Sequence, residues 1–156
     1  MHEVNLRPAE PAEASLLSAL AYRSKAQLGY SDEFMDACRA ELTYSADQIE
    51  RSDFTFVVAE KEGNVIGFYA LEQVRTNAFE LEALFVEPGH TGQGIGSALL
   101  RHAVRVARAA GGRALTIQSD SYVIDFYRSA GAVDSGQRES ASIPGRYLPV
   151  LTIALT

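Results

Sequence analysis

The sequence predicts an α/β protein of one domain spanning residues 1–156: a mixed, mostly antiparallel central sheet of six to seven strands flanked by about four helices. Three observations predict it. The chain has 156 residues, 47% hydrophobic and 22% charged, enough for one buried core and too few for two. Apolar residues recur at period two in some segments and at helical spacing in others. Three β-rich runs also follow one another across short turns, the pattern of a meander.

Each element follows from its residues. Val4 and Leu6 alternate with polar neighbours and lead into Arg7-Pro8, a short first strand that ends at the proline. Helix formers run from Pro11 to Arg23, with Leu16, Leu17 and Leu20 on one face. Gly29-Tyr30-Ser31-Asp32 breaks that helix, and Ser31 or Asp32 caps a second one carrying Phe34, Met35, Cys38 and Leu42. A polar connection from Thr43 to Asp53 has room for one helical turn at residues 46–50. Phe54 to Ala59 and Val65 to Leu71 then form a hairpin about Glu62-Gly63-Asn64, and Phe79 to Val86 makes a third strand that stops at Pro88. Ile95 to Ala110 is an amphipathic helix closed by Gly111-Gly112. Ala114 to Ile117 is a strand, Tyr122 to Ala130 a helix closed by Gly131, and Tyr147 to Leu155 a final strand. One further strand has room before it.

Charge and cysteine content narrow the function classes. Fourteen Lys and Arg stand against 20 Asp and Glu, a formal charge of −6, which argues against a general nucleic-acid binder but not against a local anion site. The single cysteine, Cys38, excludes an internal disulfide framework and a cysteine-cluster metal site, and it reads as a small buried hydrophobe. No bound metal is expected. Residues 1–7 do not have the basic start and apolar run of a signal peptide, and no segment reaches the roughly 18 apolar residues of a membrane span. A cytoplasmic protein without a membrane partner is the expectation.

The most informative segment runs from Val86 to Leu100, where a strand passes through a glycine-rich turn into an amphipathic helix. The first N–H groups of a helix lack intrahelical partners and carry partial positive charge, and glycines let an anion approach them closely. A Walker loop would need Lys followed by Ser or Thr; here Ser97-Ala98 follows Gly96. A dinucleotide fingerprint would open a βαβ unit with an acid about 20 positions on, yet this turn follows a meander and the strand from Ala114 to Gln118 carries no acid. A coenzyme A loop is the third reading.

Val86-Glu87-Pro88 and Thr91-Gly92-Gln93-Gly94-Ile95-Gly96 resemble the Val-x-Pro and Gln/Arg-x-x-Gly-x-Gly/Ala elements of GNAT-type N-acetyltransferases, with Thr91 in place of Gln or Arg. The second half of that signature, Ala-x-x-Phe-Tyr-x-x-x-Gly-Phe, is matched by residues 123–132. Phe126, Tyr127 and Gly131 are kept, while Val123 and Ala132 depart from the pattern. The resemblance covers nearly the whole chain and points to a bacterial branch. It implies acetyl-CoA as acyl donor, no metal, and a small-molecule primary amine as acceptor attacking directly in a ternary complex. The alternative is a non-catalytic acyl-CoA-binding sensor. Many relatives dimerise, so a homodimer is compatible with it.

The same resemblance assigns residues to roles. Thr91, Gly92, Gln93, Gly94, Ile95, Gly96 and Ser97 would hold the pyrophosphate. Leu84, Phe85 and Val86, on a strand end splayed from its neighbour, would offer backbone groups to the pantetheine and an N–H to the thioester oxygen. Asp120 stands where relatives often have an Asn on the pantetheine arm. An amine of pKa about 10.4 is free base in only about one molecule in 2,500 at pH 7, so a carboxylate must accept its proton. Glu80 is the first choice and Glu82 the second, two apart on one strand and therefore on one face. Tyr127 would return a proton to the departing thiolate. Arg23, Lys25, Tyr30 and Arg146 would border the acceptor, where a basic cluster suits a substrate carboxylate. His90 reads as a rim residue, and Arg101, His102, Arg105 and Arg108 as a solvated helix face.

Overall fold

In a computed structural model, which describes residues 3–156, seven strands form one sheet: β1 (Asn5–Pro8), β2 (Phe54–Lys61), β3 (Asn64–Arg75), β4 (Ala78–Val86), β5 (Ala114–Gln118), β6 (Val133–Glu139) and β7 (Tyr147–Ala154). Their order across the sheet is β1-β2-β3-β4-β5-β7-β6, and among the described residues β4–β5 is the one parallel neighbour pair. Five α-helices, α1 (Ala14–Ala26), α2 (Asp32–Cys38), α3 (Ala46–Glu50), α4 (Ile95–Ala109) and α5 (Ile124–Ser129), cover the two faces. No helix among the described residues is long and apolar enough to cross a membrane.

The sheet separates two cores. Leu99, Leu100, Ala103 and Ala107 of α4 pack with Tyr69, Leu71, Phe79, Leu81 and Tyr127 on one face. Leu17, Leu20 and Ala21 of α1 and Met35 and Cys38 of α2 pack with Phe56, Val58, Phe68 and Ala70 on the other. The burial expected for Cys38 is observed; it is 1% exposed.

Several boundaries differ from the sequence expectation. The first helix starts with a 3₁₀ turn at Pro11–Glu13 and then runs on to Ala26. The second stops at Cys38, short of Leu42. α5 is two residues shorter at its start than the Tyr122 onset implied and ends at Ser129. Here the Asp120 carboxylate accepts the Tyr122 N–H at 2.9 Å, holding the chain in a turn before the helix begins. β6 was the unplaced strand: all seven of its residues are exposed, so it carries no apolar alternation to betray it.

The α4–β5 connection shows how tightly the first core is closed. A Cβ at Gly112 would lie 2.7 Å from the Ala107 carbonyl oxygen and 2.7 Å from the Phe79 ring. Neither neighbour has room to retreat, because one is helix backbone and the other a buried ring. Gly112→Ala is expected to cost about 1–3 kcal/mol by overpacking, read as a lower urea midpoint with an unchanged slope.

Candidate active site

The site begins where the parallel pair fails. β4 and β5 are in register from Ala78↔Ala114 to Leu81↔Ile117, and beyond that they diverge. On its other side β4 stays paired to β3 as far as Gly67↔Val86. One backbone edge of β4, from Glu82 through Leu84, Phe85 and Val86, therefore has no strand beside it. The gap is a cleft of about 630 Å³ that passes between the two faces of the sheet.

From the α4 face the cleft is lined by Thr91, Gly92, Gly94, Ile95, Gly96 and Ser97. Gly92 and Gly94 adopt φ of +77° and +80°, in the left-handed region that side chains disfavour. Gly94 is the N-cap of α4, and the first intrahelical bond runs from the Ala98 N–H to the Gly94 carbonyl at 3.0 Å. The amides of Ile95, Gly96 and Ser97 precede that bond and lack carbonyl acceptors within the helix. Oriented N–H groups at the head of a 15-residue helix, beside a free strand edge, form a donor set suited to a phosphate-bearing group with an amide-rich arm. Gln93 does not line the cleft. Glu87, just after β4, accepts a bidentate bridge from Arg23 at 2.8 and 2.7 Å.

A β-bulge shapes the opposite wall. Ala70 pairs with Ala83 and Leu71 with Leu81, so Glu82 is an extra residue in β4. The bulge reverses the strand's alternation: Phe79 and Leu81 enter the α4-side core, whereas Ala83 packs in the core beneath α1. Period-two counting put Glu80 and Glu82 on one face; the bulge intervenes, yet both line the cleft. Glu72, cross-strand from Glu80, joins them, and one oxygen of each of the three carboxylates lies within 4.8 Å of the others.

The three carboxylates have different surroundings. Glu80 is bridged to Arg138 of β6 at 2.8 Å. Glu82 has no cationic partner among the described residues. Burial in the concave cleft, followed by the neighbouring Glu72 and Glu80 carboxyls, pushes it up to about 8. Glu82 remains open to solvent through the cleft mouth. Glu72 and Arg138 were not found from sequence. Glu72 becomes legible once the hairpin register is known, while Arg138 lies on the strand that carried no pattern.

Tyr127, on α5, is 6% exposed and lines the cleft. Its ring packs edge-on to Phe126, its hydroxyl has no hydrogen-bond partner among the described residues, and burial raises its proton affinity further above that of a free phenol. His90 also lines the cleft, with a buried Nδ1 that lacks a partner among the described residues.

The basic residues are arranged differently from the expectation. Tyr30 donates to Asp120 Oδ2 at 2.6 Å and accepts from Arg146 at 2.9 Å, and Lys25 Nζ stands 3.4 Å from the same carboxylate oxygen. Burial alone would raise the Asp120 carboxyl. The hydrogen bonds from Tyr30 and the Tyr122 N–H, with the Lys25 and Arg146 charges, outweigh it and hold the group below its ordinary range. The cluster foreseen for a substrate carboxylate is thus already gathered around one of the chain's own, Asp120. Lys25 and Asp120 line the cleft, whereas Tyr30 and Arg146 stand behind them; Arg23 faces Glu87 instead. His102 is not a simple surface residue either, since its Nδ1 meets the buried Tyr69 hydroxyl at 2.8 Å.

Comparison with known proteins agrees with this architecture. A streptothricin acetyltransferase from Streptomyces lavendulae is 38% identical over 81 residues, 49% of this chain and 43% of that protein. An IAA acetyltransferase from Azospirillum brasilense is 34% identical over 92 residues, 56% of this chain and 60% of that protein. The matched segments therefore span less than two thirds of either relative. The crystal structure of PaiA N-acetyltransferase from Thermoplasma acidophilum in complex with coenzyme A superposes with a TM-score of 0.80 at 22% identity, covering 97% of this chain and 99% of that one, and so shares the fold. The model of the acetyltransferase (GNAT) family matches residues 20–132, most of the chain and both signature segments, and the protein belongs to that family.

Proposed function

We propose that this protein is an N-acetyltransferase that moves an acetyl group from acetyl-CoA to a primary amine of a small molecule by direct attack. The observation that carries the reading is the divergence of β4 from β5. It opens one cleft onto the α4 N-terminus, the Glu82 carboxyl and the Tyr127 hydroxyl together.

Acetyl-CoA, when bound, supplies a thioester-activated acetyl group. The amides of Ile95, Gly96 and Ser97 hold its phosphates, and the unpaired edge of β4 at Leu84, Phe85 and Val86 binds the amide-bearing arm. This division fits an acidic protein, because oriented amides bind an anion without net positive charge.

Glu82 takes the proton of the incoming ammonium. Its raised proton affinity narrows the gap to an amine of pKa about 10.4. Glu80, the first choice from the resemblance, is occupied by Arg138 and is better suited to hold β6 against the site. Tyr127 keeps its proton in the buried state and can release it to a departing thiolate. Asp120 serves the wall of the cleft through Tyr30, Lys25 and Arg146 rather than standing free.

Release of free thiol from acetyl-CoA in the presence of a panel of primary amines tests the reading. The expected result is amine-dependent thiol release with a matching acetylated amine. Tight CoA binding without transfer to any amine would instead leave a sensor module.

A further inference from the structure

We infer that His90 is a side-chain donor for acetyl-CoA in this cleft: its Nε2–H holds an acceptor oxygen of the cofactor beside the glycine turn, where Thr91 is too short to do so. The inference rests on the acyl-donor reading above and adds a cofactor-binding residue to it.

His90 ends a 3₁₀ turn, Pro88–His90, between β4 and the glycine turn. Backbone bonds anchor it. The Glu87 N–H donates to the Ile66 carbonyl of β3 at 2.8 Å, and the His90 N–H donates to the Glu87 carbonyl at 2.8 Å. The imidazole is thus delivered to the cleft wall by fixed backbone, next to Thr91 and Gly92. Its two nitrogens differ. Nδ1 is enclosed and has no hydrogen-bond partner among the described residues, whereas Nε2 is not so enclosed. A neutral imidazole carries one N–H, and the hydrogen bonding of one nitrogen decides the protonation of the other. An N–H at Nδ1 would be a donor buried without an acceptor, and such orphan donors are rare. The proton therefore sits on Nε2, and a donor faces the cleft that the Ile95, Gly96 and Ser97 residues also line. Neighbouring side chains do not compete for the role. The polar side chains lining the cleft between Leu84 and Ser97 are His90, Thr91 and Ser97, and the last two end in a hydroxyl on Cβ. The cations of α1 are engaged, Arg23 by Glu87 and Lys25 by Asp120.

The test is calorimetric titration of coenzyme A into the protein and three variants, with thermal unfolding of each. His90→Gln keeps an amide donor near the Nε2 position, His90→Asn places it near Nδ1, and His90→Phe keeps a ring without nitrogen. The Phe and Asn variants are expected to bind coenzyme A about tenfold more weakly, and the Gln variant within about threefold of the parent. The Tm of the Phe variant should not fall, because the substitution removes a buried unpaired nitrogen. Pantetheine, which has the arm's carbonyls and no phosphate, locates the acceptor. A loss repeated with pantetheine puts the bond on the arm; a loss confined to coenzyme A puts it on a phosphate. Unchanged affinity in all three variants overturns the contact. Rescue by Asn in place of Gln, or no rescue by Gln, overturns the Nε2 assignment. A fall in Tm that accompanies the weaker binding of the Phe variant makes the effect structural and overturns the inference as well. Coenzyme A binding that follows the expected pattern, with no transfer to any amine, overturns the transfer reading and leaves His90 in place.

Discussion

Tyr127→Phe is expected to lower kcat about 10²–10³-fold, the range in which a positioned proton donor contributes, while coenzyme A affinity stays within about twofold. The substitution removes one oxygen atom whose hydroxyl makes no hydrogen bond to the described residues, so no structural bond is lost with it. The ring remains in the α4-side core with Leu99 and Leu81. Stopped-turnover kinetics under saturating amine, paired with calorimetric titration of coenzyme A, separates the two quantities. A kcat within about threefold of the parent would remove Tyr127 from the proton path.

Glu82→Gln is expected to move activity and stability in opposite directions. Activity should fall about 10²-fold for loss of a general base, and the rise of kcat/KM with pH through about 8 should disappear. The stability sign follows from linkage. An unfolded glutamate titrates near 4.3, whereas folded Glu82 holds its proton to about 8. Between those values the folded state binds more protons than the unfolded one, so stability falls as pH rises across the window and levels off above it. Gln has no proton to lose over this range. Its advantage in Tm should therefore be absent near pH 4, grow through the window and be full above pH 8. Thermal unfolding of both proteins from pH 4 to 9 checks this, and parallel curves would show that Glu82 does not carry the shifted proton. Opposed effects of this kind are expected where a site holds like charges together for function.

Much of the fold was legible from local patterns. Helical periodicity placed α1 and α4, alternation and turn residues placed the β2–β3–β4 meander, and the three alternate glycines marked the head of α4. These features are written in nearest-neighbour chemistry. β6 was not legible, because an exposed edge strand needs no apolar face. The site was legible unevenly. The backbone part follows from glycines at fixed spacing, but side-chain roles depend on partners distant in sequence. Arg146 lies 116 residues from the Tyr30 hydroxyl to which it donates, and Asp120 lies 90 residues from that same group. Residue type alone suggested a free basic cluster; the fold gathers Lys25, Tyr30 and Arg146 around the chain's own Asp120 carboxylate.

The sequence by itself determined an α/β chain with a meander leading into an anion-binding turn, because turn chemistry, capping and hydrophobic period act over a few residues. Only the tertiary structure decided which charges remain unpaired. A bulge at Glu82, the early end of the β4–β5 pairing and the convergence of Lys25, Tyr30 and Arg146 on Asp120 are outcomes of packing two faces of one sheet at once. Electrostatic energy depends on distance in space, so the initial excess of acid over base acquires meaning only after folding has cancelled the pairs. Among the described residues, the carboxylates lining the cleft that keep no cationic partner are Glu41 and Glu82.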